Sequence, residues 1–550
     1  MSNMSDFLVG DAPDLGLMSV PALAPVASGD LVVFREVGGV SPYDPTIGPA
    51  VEANNTLGSK TVLAATLVGG GSAYGFPTSG GASSAVLSNG TVATIFTGDG
   101  TTATTNINFV ITTAAGAIVV PATVVDTGGR TALSVHALPG GGFALLYGNT
   151  GTIMRMAIYS NAGAQVLAPV NIITDATSTS QSNYNAAKVL VSGNLAVAYA
   201  QTATGACILK VFDPAGAQVG STITVEANGA PYFNCILQAP VSGDMIIVYS
   251  RTGASASLKV ARYTLSGVQV GTLLALGSAT SVFFGYAWNQ HLAVVFGDDR
   301  VALLRSDDTN SSYAALSFLS TANTVTLTIP YTSLGNLSTM SAIPLIATDG
   351  DKLYYHQQTN DGTYMAGVWT STGSGLVPPG TFSCATVLSI ARNNQNRGYA
   401  RLHVLGAAGF VVTMFGYDGS NYAAQNLYIP ADRLSANTSV VSLYTSSTAE
   451  RRGVYALHLG NGVIRTDHVP ASSYASPSFA IFSYPRNAIF GIAQASAAAG
   501  EVVSVATKGT FALSTTQRSG GSANFDCRAY SVAGNKGTLA GASIVLLGIS

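Results

Sequence analysis

The chain has 550 residues, too many for one ordinary core, so it holds several domains or a repeat. Its 24 basic and 26 acidic side chains leave a net charge of −2, which offers no field for gathering nucleic acid through phosphates. With 47% hydrophobic residues the chain is not disordered, and its apolar runs fall far short of the roughly 18 residues that a membrane-spanning helix needs.

Glycine occurs 61 times, Ser, Thr, Ala and Val are abundant, and Glu and Lys are scarce, so the chain reads as all-β. Residues 1–56 carry Pro13, Pro21, Pro25, Pro42, Pro45 and Pro49, with little periodicity beyond Asp30–Phe34. They are expected to form an extended docking arm that orders against a partner. The opening Met1–Phe7 has no basic segment followed by an apolar one, so no secretory leader is expected and an outer-membrane barrel is disfavoured.

From there a repeat begins, carried by two markers. Short apolar strands open near a turn residue and close on an aromatic: Gly90–Phe96, Gly141–Tyr147, Gly193–Tyr199, Gly243–Tyr249 and Gln290–Phe296. The closing aromatics are 51, 52, 50 and 47 residues apart. The second marker is a Gly turn before an apolar run, at Gly116, Gly163, Gly216 and Gly267, with Tyr159, Phe212 and Tyr263 four residues before the last three. Two markers keeping step near 50 residues define one folding unit, with the length and strand content of a propeller blade. Gly350–His356, Gly409–Phe415 and Arg452–His458 continue the pattern. Eight candidate units predict a seven- or eight-bladed β-propeller over 57–470, closed by the strand Thr61–Leu67. Beyond it, Ala488–Gln494, Glu501–Val505 and Ser543–Leu547 read as strands of a small C-terminal β domain over 471–550.

Cys207, Cys235, Cys384 and Cys527 form no CxxC pair and read as buried hydrophobes. His136, His291, His356, His403, His458 and His468 are dispersed, so neither a metal nor a cofactor is expected. Asp298-Asp299, Asp307-Asp308 and Asp349-Gly350-Asp351 sit between strand-like runs and read as turn residues rather than as the paired acids of a retaining glycosidase, about 5 Å apart. Asn360–Tyr364 reads as a hairpin turn. Trp288, Trp369, Tyr417 and Tyr422 are the candidates for ligand or interface contact, because aromatics anchor interfaces and stack on sugars; burial in the core is the competing reading.

Phe490-Gly-Ile-Ala-Gln-Ala-Ser-Ala-Ala-Ala-Gly-Glu-Val-Val-Ser-Val505, with the ending Asn535–Leu539 through Leu547–Ser550, resembles the small β domains of tailed-bacteriophage fibre and capsid-decoration proteins. The resemblance covers roughly the last 75 residues. It implies a non-enzymatic virion component made in the host cytoplasm, a tail fibre or hub protein that docks through its arm and displays the propeller. Implied partners are other virion proteins, further copies of the chain, and a glycan or protein of the host surface; neither nucleic acid nor membrane insertion is expected. The mean hydropathy of +0.35 agrees with burial between copies. Rival readings are a carbohydrate-active propeller enzyme cleaving host glycan, and a capsid decoration or head fibre protein.

Overall fold

The computed structural model describes residues 17–22, 25–28, 31–35, 39–42, 61–63, 84–97, 106–114, 116–127, 130–149, 151–177, 185–228, 231–251, 258–276, 292–306, 314–330, 345–358, 363–383, 400–404, 409–417, 422–430, 439–446, 455–459, 463–468, 478–483, 489–499, 501–506, 508–512, 535–540 and 543–549. Every regular element among them is a β-strand.

Eight antiparallel sheets of four strands follow one another along the chain. The first is Ser84–Val86, Val92–Thr97, Ile107–Thr112 and Ile118–Asp126; the second is Arg130–Ala137, Phe143–Asn149, Met154–Tyr159 and Gln165–Ile173. The third is Asn185–Val189, Leu195–Ala200, Cys207–Phe212 and Gln218–Glu226; the fourth is Pro231–Gln238, Met245–Arg251, Leu258–Tyr263 and Leu274–Leu276. The fifth is Ala293–Val295, Val301–Ser306, Ala314–Leu319 and Val325–Ile329; the sixth is Leu345–Asp349, Lys352–Gln358, Thr363–Thr370 and Gly375–Ser383. The seventh is Ala400–Val404, Gly409–Tyr417, Tyr422–Pro430 and Ser439–Ser446. The eighth combines Tyr455–His458, Val463–His468 and Ser478–Ser483 with Thr61–Leu63 from the beginning of the chain. First strands of successive sheets touch, and Tyr455–His458 of the eighth touches Ser84–Val86 of the first, which closes a ring. The fold is a β-propeller.

This arrangement explains the apolar runs. A middle strand such as Leu195–Ala200 or Ile107–Thr112 is buried along its whole length because a neighbouring sheet covers each face. The outer strand Ile118–Asp126 is exposed or half-buried along its whole length. The core is therefore a series of seams: Phe109 of the first sheet packs on Phe143 and Tyr159 of the second, with ring centroids 5.2 and 4.6 Å apart. Third-to-outer strand pairing is interrupted by bulges or irregularities in six sheets, which bends the exposed edge away from further pairing.

Two tight turns recur. The first-to-second strand turn has Gly90, Gly141, Gly193, Gly243 or Gly350 at positive φ, and the third-to-fourth turn has Gly116, Gly163, Gly216, Gly267 or Gly373 there. In the fifth sheet Asp299 and Asn323 take these places at φ 68 and 57°. In the first six sheets the third-to-fourth turn opens on Thr113, Ser160, Asp213, Thr264, Ser320 or Thr370, whose side-chain oxygen accepts the N–H four residues on. Its glycine also seats the preceding sheet. A Cβ on Gly163 would meet Val120 at 3.0 Å, on Gly216 Val170 at 2.8 Å, and on Gly267 Ile223 at 3.1 Å.

Several expectations need correction. The marker strands, read as opening each unit, are the second of four strands, except that Gln290–Phe296 and Arg452–His458 fall on first strands; the second strand of the fifth sheet carries Arg305 in the aromatic's place. The boundary at 470 cuts the eighth sheet, since Ser478–Ser483 is its third strand. Residues 17–42 are not simply an extended arm. Leu17–Pro21, Leu31–Arg35 and Gly39–Pro42 form a five-stranded sheet with Ile489–Ala493 and Val502–Ala506, so both ends of the chain build one terminal module. Lys508–Ala512, Asn535–Ala540 and Ser543–Ile549 make a further three-stranded sheet.

The two turn types separate strain from crowding. Gly193→Ala, with nothing within 4 Å of the new Cβ, is expected to cost about 1–2 kcal/mol for its positive φ alone. Gly216→Ala adds the clash with Val170 and is expected to cost about twice that. Denaturant midpoints of the two variants check the order.

Candidate functional site: the unequal-loop face

Antiparallel strands place the tight turns at one end of the ring and all remaining connections at the other. In the first six sheets the turn end is nearly uniform. The opposite end is not: its connections range from the short 359–362 to the long 277–292, 330–344 and 384–399. Unequal loops on a rigid frame are where binding and catalytic groups concentrate, so this face is the candidate site.

Three consecutive seams open onto it with related chemistry, although in the second Ile173 stands where the others have Asp126 and Glu226, and the acid, Asp175, lies two residues beyond. An acid at the end of one sheet faces a buried Tyr on the second strand of the next, and a donor side chain holds the acid. In the seam between the first and second sheets, Arg155 Nη1 donates to Asp126 Oδ2 at 2.8 Å and Arg155 Nε to Asn171 at 2.9 Å, beside Tyr147. Between the second and third, Gln201 Nε2 donates to Asp175 Oδ2 at 2.7 Å, beside Tyr199, over whose ring Lys210 lies. Between the third and fourth, Tyr249 donates to Glu226 Oε2 at 3.0 Å and Lys259 to Oε1 at 3.1 Å. Burial raises all three phenol pKa values, and the facing acid adds to it, after Cys207 in the case of Tyr249, so these tyrosines are neutral donors rather than bases. A carboxylate flanked by fixed donors can take hydroxyl groups from a neutral ligand.

The turn end is held by a different polar cluster. Asp299 accepts from the N–H groups of Val241 and Ser242 of the fourth sheet, both at 2.7 Å, and Arg262 bonds Asp244 at 2.8 Å and the carbonyl of Asp299 at 3.0 Å. Burial opposes the charge on Asp299, but these N–H donors and the Arg262 guanidinium outweigh it and lower its pKa. Asp298 instead accepts from Ser371 of the sixth sheet at 2.7 Å. The two carboxylates thus serve different neighbours, as turn residues do. Asp349 and Asp351 flank the turn at Gly350, and Asp307-Asp308 lie outside the described residues.

Of the aromatic candidates, Trp369 is 4% exposed and packs edge-on against Tyr355 in the core, in the register that Tyr159, Phe212 and Tyr263 hold in other sheets. That placement leaves it no ligand surface. Tyr417 and Tyr422 are register partners on the second and third strands of the seventh sheet, at the unequal-loop end. Trp288 lies outside the described residues, as do Cys384 and Cys527. Cys207 and Cys235 are buried thiols, and burial pushes Cys235 up to about 12. Of the three that are described, Trp369 belongs to the sixth sheet and Tyr417 and Tyr422 to the seventh. The seam acids escaped the sequence reading, although each lies 21, 24 or 23 residues before its closing Tyr.

No family model and no curated relative matches the sequence. Solved structures of similar architecture include a periplasmic gluconolactonase of Pseudomonas aeruginosa, at 11% identity and TM-score 0.36, covering 66% of this chain and 95% of that one. A lectin of Burkholderia pseudomallei gives 12% and 0.42, covering 68% and 99%. An ulvan-degrading polysaccharide lyase gives 8% and 0.39, covering 68% and 97%. At these values the likeness is one of fold. The expectation of a non-enzymatic protein is nonetheless corrected: two of these three propellers are enzymes, and a scaffold whose chemistry sits on loops need show no sequence motif.

His356 and His136 make stability depend on pH. Burial lowers His356 to about 3, and burial with nearby Lys188 lowers His136 to about 4, both from 6.5. The folded state then binds fewer protons than the unfolded one, so stability falls as pH drops from 6.5 towards these values. The expected loss from His356 is about 2 kcal/mol at about pH 5, and His356→Leu should unfold with a flatter pH dependence. Chemical denaturation at neutral and acid pH measures the difference.

Proposed function

We propose that this protein is a carbohydrate-directed β-propeller that engages surface glycan through its unequal-loop face, carried on a bacteriophage particle as a tail or head fibre component. The observation that carries the reading is the polarity of the ring. Ser478–Ser483 runs towards the turn end and leads through 484–488 into the terminal module, and the antiparallel Thr61–Leu63 enters from that same end. The module is therefore joined to the turn end, which leaves the unequal-loop face free for a ligand. That face suits a neutral, hydroxyl-rich ligand, because net charge is small and the seam carboxylates are held by fixed donors. The resemblance of 490–505 and 535–550 to phage fibre and decoration domains supports the particle setting, with the terminal module as the docking element.

The test is retention of the purified chain on host-surface polysaccharide, with release of new reducing ends read in the same incubation. Replacing the exposed Thr127, Thr177 and Thr204 of the unequal-loop face by Trp is expected to lower retention at least about tenfold, worth about 1.4 kcal/mol. The same change at Val191, Val241 and Leu265 of the turn end should leave it intact. Failure of the chain to retain or cleave any host polysaccharide would sink the reading.

A further inference from the structure

The turn end carries more apolar side chain than its turns require. Two residues before the turn glycine, first-to-second strand turns hold Ser88, Pro139 and Thr348, but Val191 in the third sheet and Val241 in the fourth. At the matching place third-to-fourth turns hold Ala114, Asn161 and Ser371, but Leu265 in the fourth sheet, followed by Val268 where the others have Ala, Thr or Ser. Val191, Val241, Leu265 and Val268 are 79, 77, 51 and 63% exposed. They form one patch. Gln238 of the fourth sheet accepts from the N–H of Val191 at 2.8 Å and donates to the carbonyl of Gly243 at 3.3 Å, and a Cβ on Gly243 would meet Leu265 at 3.3 Å. Asp299 of the fifth sheet takes the N–H of Val241 at 2.7 Å. Neighbouring sheets thus fix both valine turns, so little ordering is left for a partner to impose.

We infer that this patch pairs with the same patch of a second copy of the chain about a two-fold axis. Charge, area and position select that occupant. A two-fold contact sets like against like, so it accepts apolar surface and rejects charge. The turns 190–194, 213–217, 239–244 and 264–268 contain no basic residue; Asp244 is buried against Arg262, and Asp213 accepts from the N–H groups of Ala215 and Ala217. The turns of the fifth and sixth sheets, by contrast, carry Asp298, Arg300, Asp351 and Lys352. With Val219 and Val325 on the outer strands of the flanking sheets, the patch presents on the order of 500 Å² of apolar surface, large for a monomer. That is close to the apolar share of one side of a standard interface, about 800 Å². No described residue of the chain covers it, and the terminal module is tethered to the eighth sheet, across the ring from the fourth. Pairing there leaves both unequal-loop faces outward and does not depend on the glycan reading.

The experiment is sedimentation of the full chain from about 1 to about 100 µM. One variant combines Val191→Glu, Val241→Glu and Leu265→Glu, with Val241→Glu alone in its place if that chain fails to fold. The control is Val124→Glu, at a valine 53% exposed near the unequal-loop end. A dimer is expected, weakened at least about hundredfold by the combined change and unaffected in the control. A dimer that survives the combined change, or an assembly larger than two, overturns the inference. So does a monomer throughout, and hydroxyl-radical labelling of Leu265 then names the occupant: the terminal module if Leu265 is shielded, another protein if it is open.

Discussion

The structure depends on a packing constraint: each four-stranded sheet is apolar on both faces and can satisfy neither alone. A sandwich would cover one face of each sheet, and an open stack would leave two end faces in water. A ring covers all of them, provided the radial fit between neighbours is kept. The third-to-fourth strand turn sets that fit. Its glycine takes a conformation that a side chain resists and leaves space for a branched residue of the preceding sheet, as Gly216 does for Val170. One residue thus serves the hairpin and the seam together, which is why the glycine keeps step with the repeat.

This double duty also explains what could be read from the sequence. Turn glycines and closing aromatics mark the first four sheets because local chemistry demands those residues at those places. The fifth sheet hid its register because Asp299 and Asn323 do the work of glycine, and each adds a bond to the fourth sheet that glycine could not make. Asn and Asp tolerate positive φ better than other side chains, but a search for glycine passes over them. The terminal module was illegible for another reason. Residues 17–42 pair with 489–506 across the whole ring, and no local pattern announces a partner so distant in sequence. The seam acids stood in between: their spacing to the tyrosines is regular, but only the placement of neighbouring sheets makes an acid and a phenol a pair.

The seam that closes the ring is chemically unlike the others. Arg465, on the second strand of the eighth sheet, stands where Ala144, Ala196 and Ala302 stand in theirs, and it is fully buried. It donates to the hydroxyls of Thr112 and Thr94 in the first sheet, and Thr94 in turn bonds Ser84 at 2.9 Å. The register positions of Thr94 elsewhere hold Leu145, Val197, Ile247 and Leu303, and that of Thr112 holds Tyr159, Phe212 and Tyr263. The first sheet lacks the repeat's aromatic because it receives a guanidinium there.

Burying that charge costs more than burying a leucine, so its value lies in selection rather than strength. Sheets built on one template could mate with any neighbour, including one from another copy, and an eighth sheet with an apolar face would fit several of them. A guanidinium placed against any of those aliphatic faces would have no acceptors and would pay its full desolvation. Against Thr94 and Thr112 it finds them. Arg465 therefore ties the eighth sheet to the first of the same chain, while Thr61–Leu63 completes the eighth sheet from the other end of the sequence. Closure is specified twice, by a strand and by a charge, at the one seam where the repeat alone could not tell its own end from that of a neighbour.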